Sequence, residues 1–174
     1  NCFYEYQLYC KNLVISLKEF IKAVNQKMKL EANNPFITNI MENNKNINDR
    51  TSFDIFTIDP KSSTDLDDAL GIKDNILSIY IANVPVLITY FELWNSFSER
   101  ISTIYLPDRK CPMLPNLLSE NLCSLLENES RFAFYVDITI VDNNISNITF
   151  GSALINVRKN YVYEEESLIN DSEY

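Results

Sequence analysis

The spacing of apolar residues changes along this chain, and each change marks a different kind of element. Over residues 5 to 30, Leu13, Leu17, Phe20, Ile21, Val24 and Met28 recur at three- and four-residue steps. That is the stripe of an amphipathic helix. Pro35 disfavours helix in the residue before it, so the helix is expected to stop ahead of Asn33-Asn34-Pro35. Residues 42 to 52, ENNKNINDRTS, carry no apolar rhythm and read as a linker or long surface loop. Beyond them the period falls to two. FDIFTI (53 to 58) reads as a short strand, ended by Asp59-Pro60. LSIYIANV (77 to 84) alternates Leu77, Ile79 and Ile81 with Ser78, Tyr80 and Ala82, which assigns the first set to the core. These two strands are expected to be neighbours, joined by the acidic stretch between them. FELWNSFSERIS (91 to 102) reads as helix, and residues 116 to 127 as a second, shorter one. YLPDRKCPMLP (105 to 115) holds prolines at 107, 112 and 115 and is expected to be an ordered, extended loop. RFAFYVDITIV (131 to 141) places Phe132, Phe134, Val136, Ile138 and Ile140 on one face. DNNISN turns the chain and ITFGSALINV (148 to 157) returns it, the clearest hairpin of the sequence. YVYEEESLIN (161 to 170) suggests the start of another helix. The sum is an α+β chain, with residues 1–52 a helical lead-in and linker and residues 53–174 the β-rich part.

Composition supports a folded globule. Of 174 residues, 46 % are apolar and 12 % aromatic, far from the disordered class. No run approaches the roughly 18 apolar residues of a membrane span, and no signal pattern opens the chain. The chain starts at Asn1 and reads as a piece of something longer. Its net charge of −9 argues against a general nucleic-acid clamp, because phosphate binding wants clustered Lys and Arg. An acidic metal site that works on phosphate is compatible with it. With no histidine, and with Cys2, Cys10, Cys111 and Cys123 forming no CxxC, zinc by Cys/His spacing and histidine general-base catalysis are both excluded. The cysteines read as ordinary thiols of a reducing compartment, and the N-x-S/T sequons at Asn128, Asn144, Asn147 and Asn170 carry no message about secretion.

Charge is most crowded in TIDPKSSTDLDDAL (57 to 70), where Asp59, Asp65, Asp67 and Asp68 share ten positions with Lys61 alone for balance. Two carboxylates about 6 Å apart at an effective dielectric near 20 repel by roughly 3 kcal/mol. One reading is a solvated acidic turn, since Asp and Ser are ordinary turn residues. Against it, Pro60 holds Asp59 extended at a strand end, and apolar strands anchor the loop on both sides. Asp65 and Asp67, two apart, project to one side of an extended stretch and Asp68 to the other. A calcium loop of the EF-hand type fails, because counting from Asp65 puts Ala69 at its fifth position and Leu70 where glycine is required. Oxygen-only ligands suit a hard cation, and magnesium held by carboxylates is the usual partner of phosphate chemistry.

FTIDPKSSTDLDDAL resembles the aspartate signature of the ribonuclease II family, whose RNB catalytic domain is shared by ribonucleases II and R and the hydrolytic subunit of the exosome. IYIANVP (79 to 85) is similar to the family's HIADVS segment. ERISTIYLPDRKCPMLPNLLSENLCSLLENESRFAF (99 to 134) is similar to its R-G-T-S-x-Y-L-P…PMLP…LS…CSL…R stretch. The resemblance covers 53 to about 163 and implies the N-terminal half of an RNB domain, a mixed sheet with flanking helices. It implies a magnesium-dependent 3′-to-5′ exoribonuclease that acts on single-stranded RNA, releases nucleoside 5′-monophosphates and works inside the cell. Partners in RNA-degradation complexes are compatible with it, and neither a membrane nor an obligate oligomer is expected. Carried over position by position, Asp59, Asp65 and Asp68 would bind magnesium, Asp67 would contact the 3′-terminal nucleotide, and Tyr105 would stack on the terminal base. Arg100, Arg109 and Arg131 are candidates for phosphate contact, with structural ion pairing preferred for each. Three positions depart from the family: Asn83 stands for an aspartate, Tyr80 for a histidine and Ile101 for a glycine. The departures keep open an inactive relative that binds RNA or protein. A metal-stabilised structural domain is the remaining alternative. The family's arginine-rich motif, glutamate and second aromatic clamp are not in this sequence, so the fragment alone is expected to be inactive.

Overall fold

A computed structural model describes residues 36–92, 94, 102–105, 107, 110–111, 113–114 and 118–163. The helices expected over 5 to 30, most of 91 to 102 and 164 to 170 lie outside these residues. The chain divides into two compact units, one made of Asn1–Asn43 with Leu87–Leu117, the other of Asn44–Val86 with Leu118–Tyr174.

The second unit is a seven-stranded mixed sheet. Its strands are β1 (Ile47–Arg50), β2 (Ile55–Asp59), β3 (Asp68–Lys73), β4 (Ile76–Ala82), β7 (Ser130–Val141), β8 (Asn144–Asn156) and β9 (Lys159–Val162), in the order β1-β8-β7-β4-β3-β2-β9. The β7–β8 hairpin matches expectation and is longer than the pattern indicated. Its turn is the pair Asp142-Asn143, both in left-handed backbone (φ 51° and 59°), as a two-residue turn matched to strand twist requires. The strand resumes at Asn144, so ISN belongs to β8 rather than to the turn. A five-residue π-helical turn, Leu118–Leu122, occupies part of the helix expected over 116 to 127. A short helix, α2 (Val84–Tyr90), follows β4 directly and ends just before the helix expected over 91 to 102. The first unit contains α1 (Phe36–Asn43) and a two-stranded ribbon, β5 (Ile104–Tyr105) with β6 (Lys110–Cys111), inside the proline-rich stretch. No helix among the described residues is long and apolar enough to cross a membrane.

Three expectations are corrected. The polar segment 42 to 52 is not a loop throughout, because Ile47–Arg50 pairs in parallel with Ser152–Ile155 of β8. The FDIFTI and LSIYIANV strands are not neighbours; β3 lies between them, and the acidic stretch joins β2 to β3. Over most of the sheet the buried face is also the opposite one, with Phe132 alone of its expected face buried in β7. Tyr80 and Ala82, with Ala69, Ala133, Tyr135, Ala153, Ile55 and Ile155, form the core, closed over by Leu66, Leu125 and Val157. Ile81, Phe134, Val136, Ile148 and Phe150 point the other way and are exposed, Phe150 to 81 %. Both faces of these strands are apolar enough to be core. The face rich in alanine is the one that lets a covering segment approach closely.

Candidate active site

The site begins where two strands part. β2 pairs with β3 only through Ile55–Gly71 and Phe56–Leu70, yet stays paired with β9 from Phe56–Lys159 to Asp59–Val162. Gly71 permits the close pairing, since a Cβ there would sit 2.9 Å from the Asp54 carbonyl oxygen. Beyond Phe56 the ladder opens, and Asp59 ends β2 on the open side. Pro60 then starts a turn closed by Ser63 N–H to its carbonyl (2.9 Å). The loop is pinned at its centre. Leu66 is buried, its N–H donates to Ser124 Oγ (3.1 Å), and its carbonyl accepts from Leu125 N–H (2.8 Å). With Leu66 turned inward, its neighbours Asp65 and Asp67 are exposed. Asp67 closes the loop by accepting Ala82 N–H on its carbonyl (2.8 Å), and Asp68 opens β3 opposite Ile81.

Asp59 feels the whole cluster. Its pKa is raised, first by burial and then by the charges of Asp68, Asp67 and Asp65, while a hydrogen bond from Thr57 opposes the rise. Its Oδ2 is buried with no hydrogen-bond partner. A carboxylate oxygen removed from water without a donor is costly, so the arrangement asks for a cation. Thr57 is itself held by Asn160, whose Nδ2 donates to Thr57 Oγ1 and to the Leu125 carbonyl, both at 3.0 Å.

The donor set fits magnesium in kind: oxygen ligands only, one of them an orphaned buried atom. In place it is not assembled, for among the described residues no three acidic or thiol side chains gather closely enough to hold a metal ion. Two of the four aspartates stand on the irregular, exposed part of the loop.

The other candidates fall outside this cluster. Tyr105 lies on the ribbon of the first unit, with its ring 76 % exposed. Arg131 is structural, as preferred: its Nε donates to the carbonyls of Asn121 (3.1 Å) and Ser124 (3.0 Å), and its Nη1 reaches Glu129 (3.3 Å). Arg100, Arg109 and Ile101 are outside the described residues. Asn83 caps α2, accepting Val86 N–H on Oδ1 (3.2 Å) as an N-cap residue does. Tyr80 is a fully buried core ring. Cys123 is a free, buried thiol whose pKa burial pushes up to about 12, against the pull of Arg131, so it is inert. Sequence reasoning missed Thr57, Ser124 and Asn160, which hold the aspartates; isolated polar residues leave no periodic trace.

Comparison with known proteins identifies the family. Residues 45–173 match the RNB domain. Exoribonuclease 2 of Yersinia pestis (strain Pestoides F) is 38 % identical over 127 residues, which are 68 % of this chain and 20 % of that protein. The chain thus spans about a fifth of the length of such relatives. Mycoplasma genitalium RNase R, solved in complex with ribose methylated single-stranded RNA, superposes with a TM-score of 0.60 at 29 % identity. The match covers 76 % of this chain and 22 % of that one. Yeast Ssd1, a pseudonuclease, shares the fold at 20 % identity, with a TM-score of 0.61 over 75 % of this chain and 18 % of that one. With strands that part at a four-aspartate loop, and with the RNB domain matched over most of this chain, the chain belongs to the RNB domain family.

Proposed function

We propose that this chain carries the aspartate half of a 3′-to-5′ exoribonuclease site that shortens single-stranded RNA by hydrolysis to nucleoside 5′-monophosphates. The observation that carries the reading is Asp59 Oδ2, buried without a donor at the strand end from which the loop carrying Asp65, Asp67 and Asp68 departs. In this reading Asp59, Asp65 and Asp68 hold magnesium, which when bound supplies charge neutralisation at the scissile phosphate and an acidified water. Asp59 supplies a fixed acceptor from the rigid strand end. Asp65 and Asp68 close on it from the loop and from the start of β3. Asp67 is left for the 3′-terminal nucleotide, where a carboxylate accepts from ribose hydroxyls and so favours RNA over DNA. The exposed ring of Tyr105 serves as a stacking platform that reads no sequence. The work is intracellular, in RNA degradation.

The test is the Asp67→Asn variant in the full-length protein, followed on end-labelled single-stranded RNA with magnesium and after chelation. Shortening is expected to vanish in both the variant and the chelated parent, while RNA binding by the variant persists. Shortening by the variant at the parental rate would show the site assignment to be wrong.

A second reading, a non-hydrolysing RNA- or protein-binding relative, draws on Asn83 in place of an aspartate. The cap formed by Asn83 weakens it, because an amide oxygen caps a helix as well as a carboxylate does.

A further inference from the structure

The acidic site is held from two directions, and both holds meet at one residue, Leu125. From the loop side, Leu66 is gripped through its N–H by Ser124 Oγ (3.1 Å) and through its carbonyl by Leu125 N–H (2.8 Å). From the strand side, Asn160 Nδ2 donates to the carbonyl of that same Leu125 and to Thr57 Oγ1, both at 3.0 Å. Asn160 has little freedom to do otherwise. Its Oδ1 accepts Glu127 N–H (2.8 Å) and its own N–H donates to Glu127 Oε2 (3.3 Å). Ser124 is likewise fixed, buried to 1 % exposure with its carbonyl taken by Arg131 Nε (3.0 Å). Because Thr57 Oγ accepts from Asn160, its own proton is directed elsewhere. Asp59, two residues along on the same face of β2, is the acceptor in reach.

We propose that Ser124 and Asn160 are positioning residues that brace the Asp65–Asp67 loop and Asp59 against the same residue, Leu125, so that the two halves of the site keep one spacing. The brace is a property of the fold. Only its effect on metal binding rests on the hydrolase reading.

The test uses the full chain in two arms. In the first, backbone amide exchange is measured at Leu66 and Leu125. Ser124→Ala is expected to speed exchange at Leu66 by roughly fivefold to tenfold, the equivalent of one lost hydrogen bond. Asn160→Ala is expected to speed it there too, although Asn160 does not touch Leu66. A purely local role for Asn160 would leave Leu66 unchanged and would overturn the brace. In the second arm, manganese is titrated as a spin-active stand-in for magnesium. Thr57→Val and Asn160→Ala are each expected to weaken binding by roughly tenfold with the thermal midpoint little moved, as residues behind a ligand do. Thr57→Ser, which keeps the hydroxyl, restores it, and the Thr57→Val/Asn160→Ala double variant is no weaker than either single one. Fully additive losses, or parental affinity in Thr57→Val, would also overturn the brace. If the parental chain takes up no manganese, the hydrolase reading fails, and the exchange arm decides the brace alone.

Discussion

Asp59 carries a cost that the rest of the fold must cover. Its raised pKa, caused first by burial, means the folded state holds its proton more tightly than the unfolded chain does. The sign follows directly. The stability it contributes is fully present below the unfolded aspartate pKa of about 3.9 and is lost as pH rises through the folded value. Asp59→Asn is therefore expected to raise the denaturation midpoint at pH 7 without divalent cations and to converge on the parent near pH 3. Urea melts at the two pH values check this. Magnesium added at pH 7 should raise the parent's midpoint and leave the variant's where it was, because a ligand stabilises only the state that binds it. Asn83 makes a smaller prediction: Asn83→Ala removes the α2 cap and costs about 1 kcal/mol, read from the same melts.

At the scale of elements, β1 is an inconspicuous edge strand tied to the sheet by one buried side chain. Its Arg50 pairs with Asp137 of β7 through both guanidinium nitrogens (2.6 and 2.8 Å) and lies 3.4 Å from the Tyr135 ring centroid. Burial works against the charge of Arg50. The hydrogen bonds to Asp137 and Tyr80 outweigh it, and its pKa is raised. The Arg50 bond in turn lowers the pKa of Asp137, against burial and with help from Ser78. The stability from Asp137 is thus present above the unfolded pKa of about 3.9 and lost as pH falls through the folded value. Asp137→Asn leaves a buried guanidinium without its counter-charge and should cost about 3 kcal/mol at pH 7, measured by denaturant unfolding. Tyr135 also explains Gly151, where a Cβ would stand 2.8 Å from the tyrosine hydroxyl. Gly151→Ala should cost about 1–3 kcal/mol in the same experiment, through overpacking.

Legibility followed from what kind of interaction made each element. The β7–β8 hairpin pairs residues close in sequence and alternates along its length, so it was readable. β1 (INDR) and β9 (KNYV) are short, mostly polar strands held by partners far along the chain, and nothing local announces them. The acidic loop stood out as a candidate site because four like charges between two apolar strands need an explanation. The inward face was not readable, because Phe134, Val136 and Phe150 are more apolar than the alanines that form the core opposite them. Thr57, Ser124 and Asn160 escaped because their meaning lies in hydrogen bonds across 35 to 103 positions.

For the whole molecule, the exposed face matters most. Ile81, Phe134, Ile148 and Phe150 stand together on one side of the sheet by strand register, and all are exposed. A patch of this kind on an isolated chain promotes association. Phe150→Lys with Ile148→Lys should lower light scattering at a given concentration and leave the circular dichroism unchanged. Parental scattering in the variant would count against the patch as the cause.

The separation of β2 from its outer partner has a consequence for timing. Thr57 and Asn160 lie 103 positions apart, and β9 is the last in sequence of the strands among the described residues. During synthesis, β2 has no neighbour on that side until residues 159–162 have left the ribosome, so Asp59 is not yet seated when the other three aspartates are already out. Because long-range pairings of this kind form late, the acidic loop is complete before the strand end that carries Asp59 is braced.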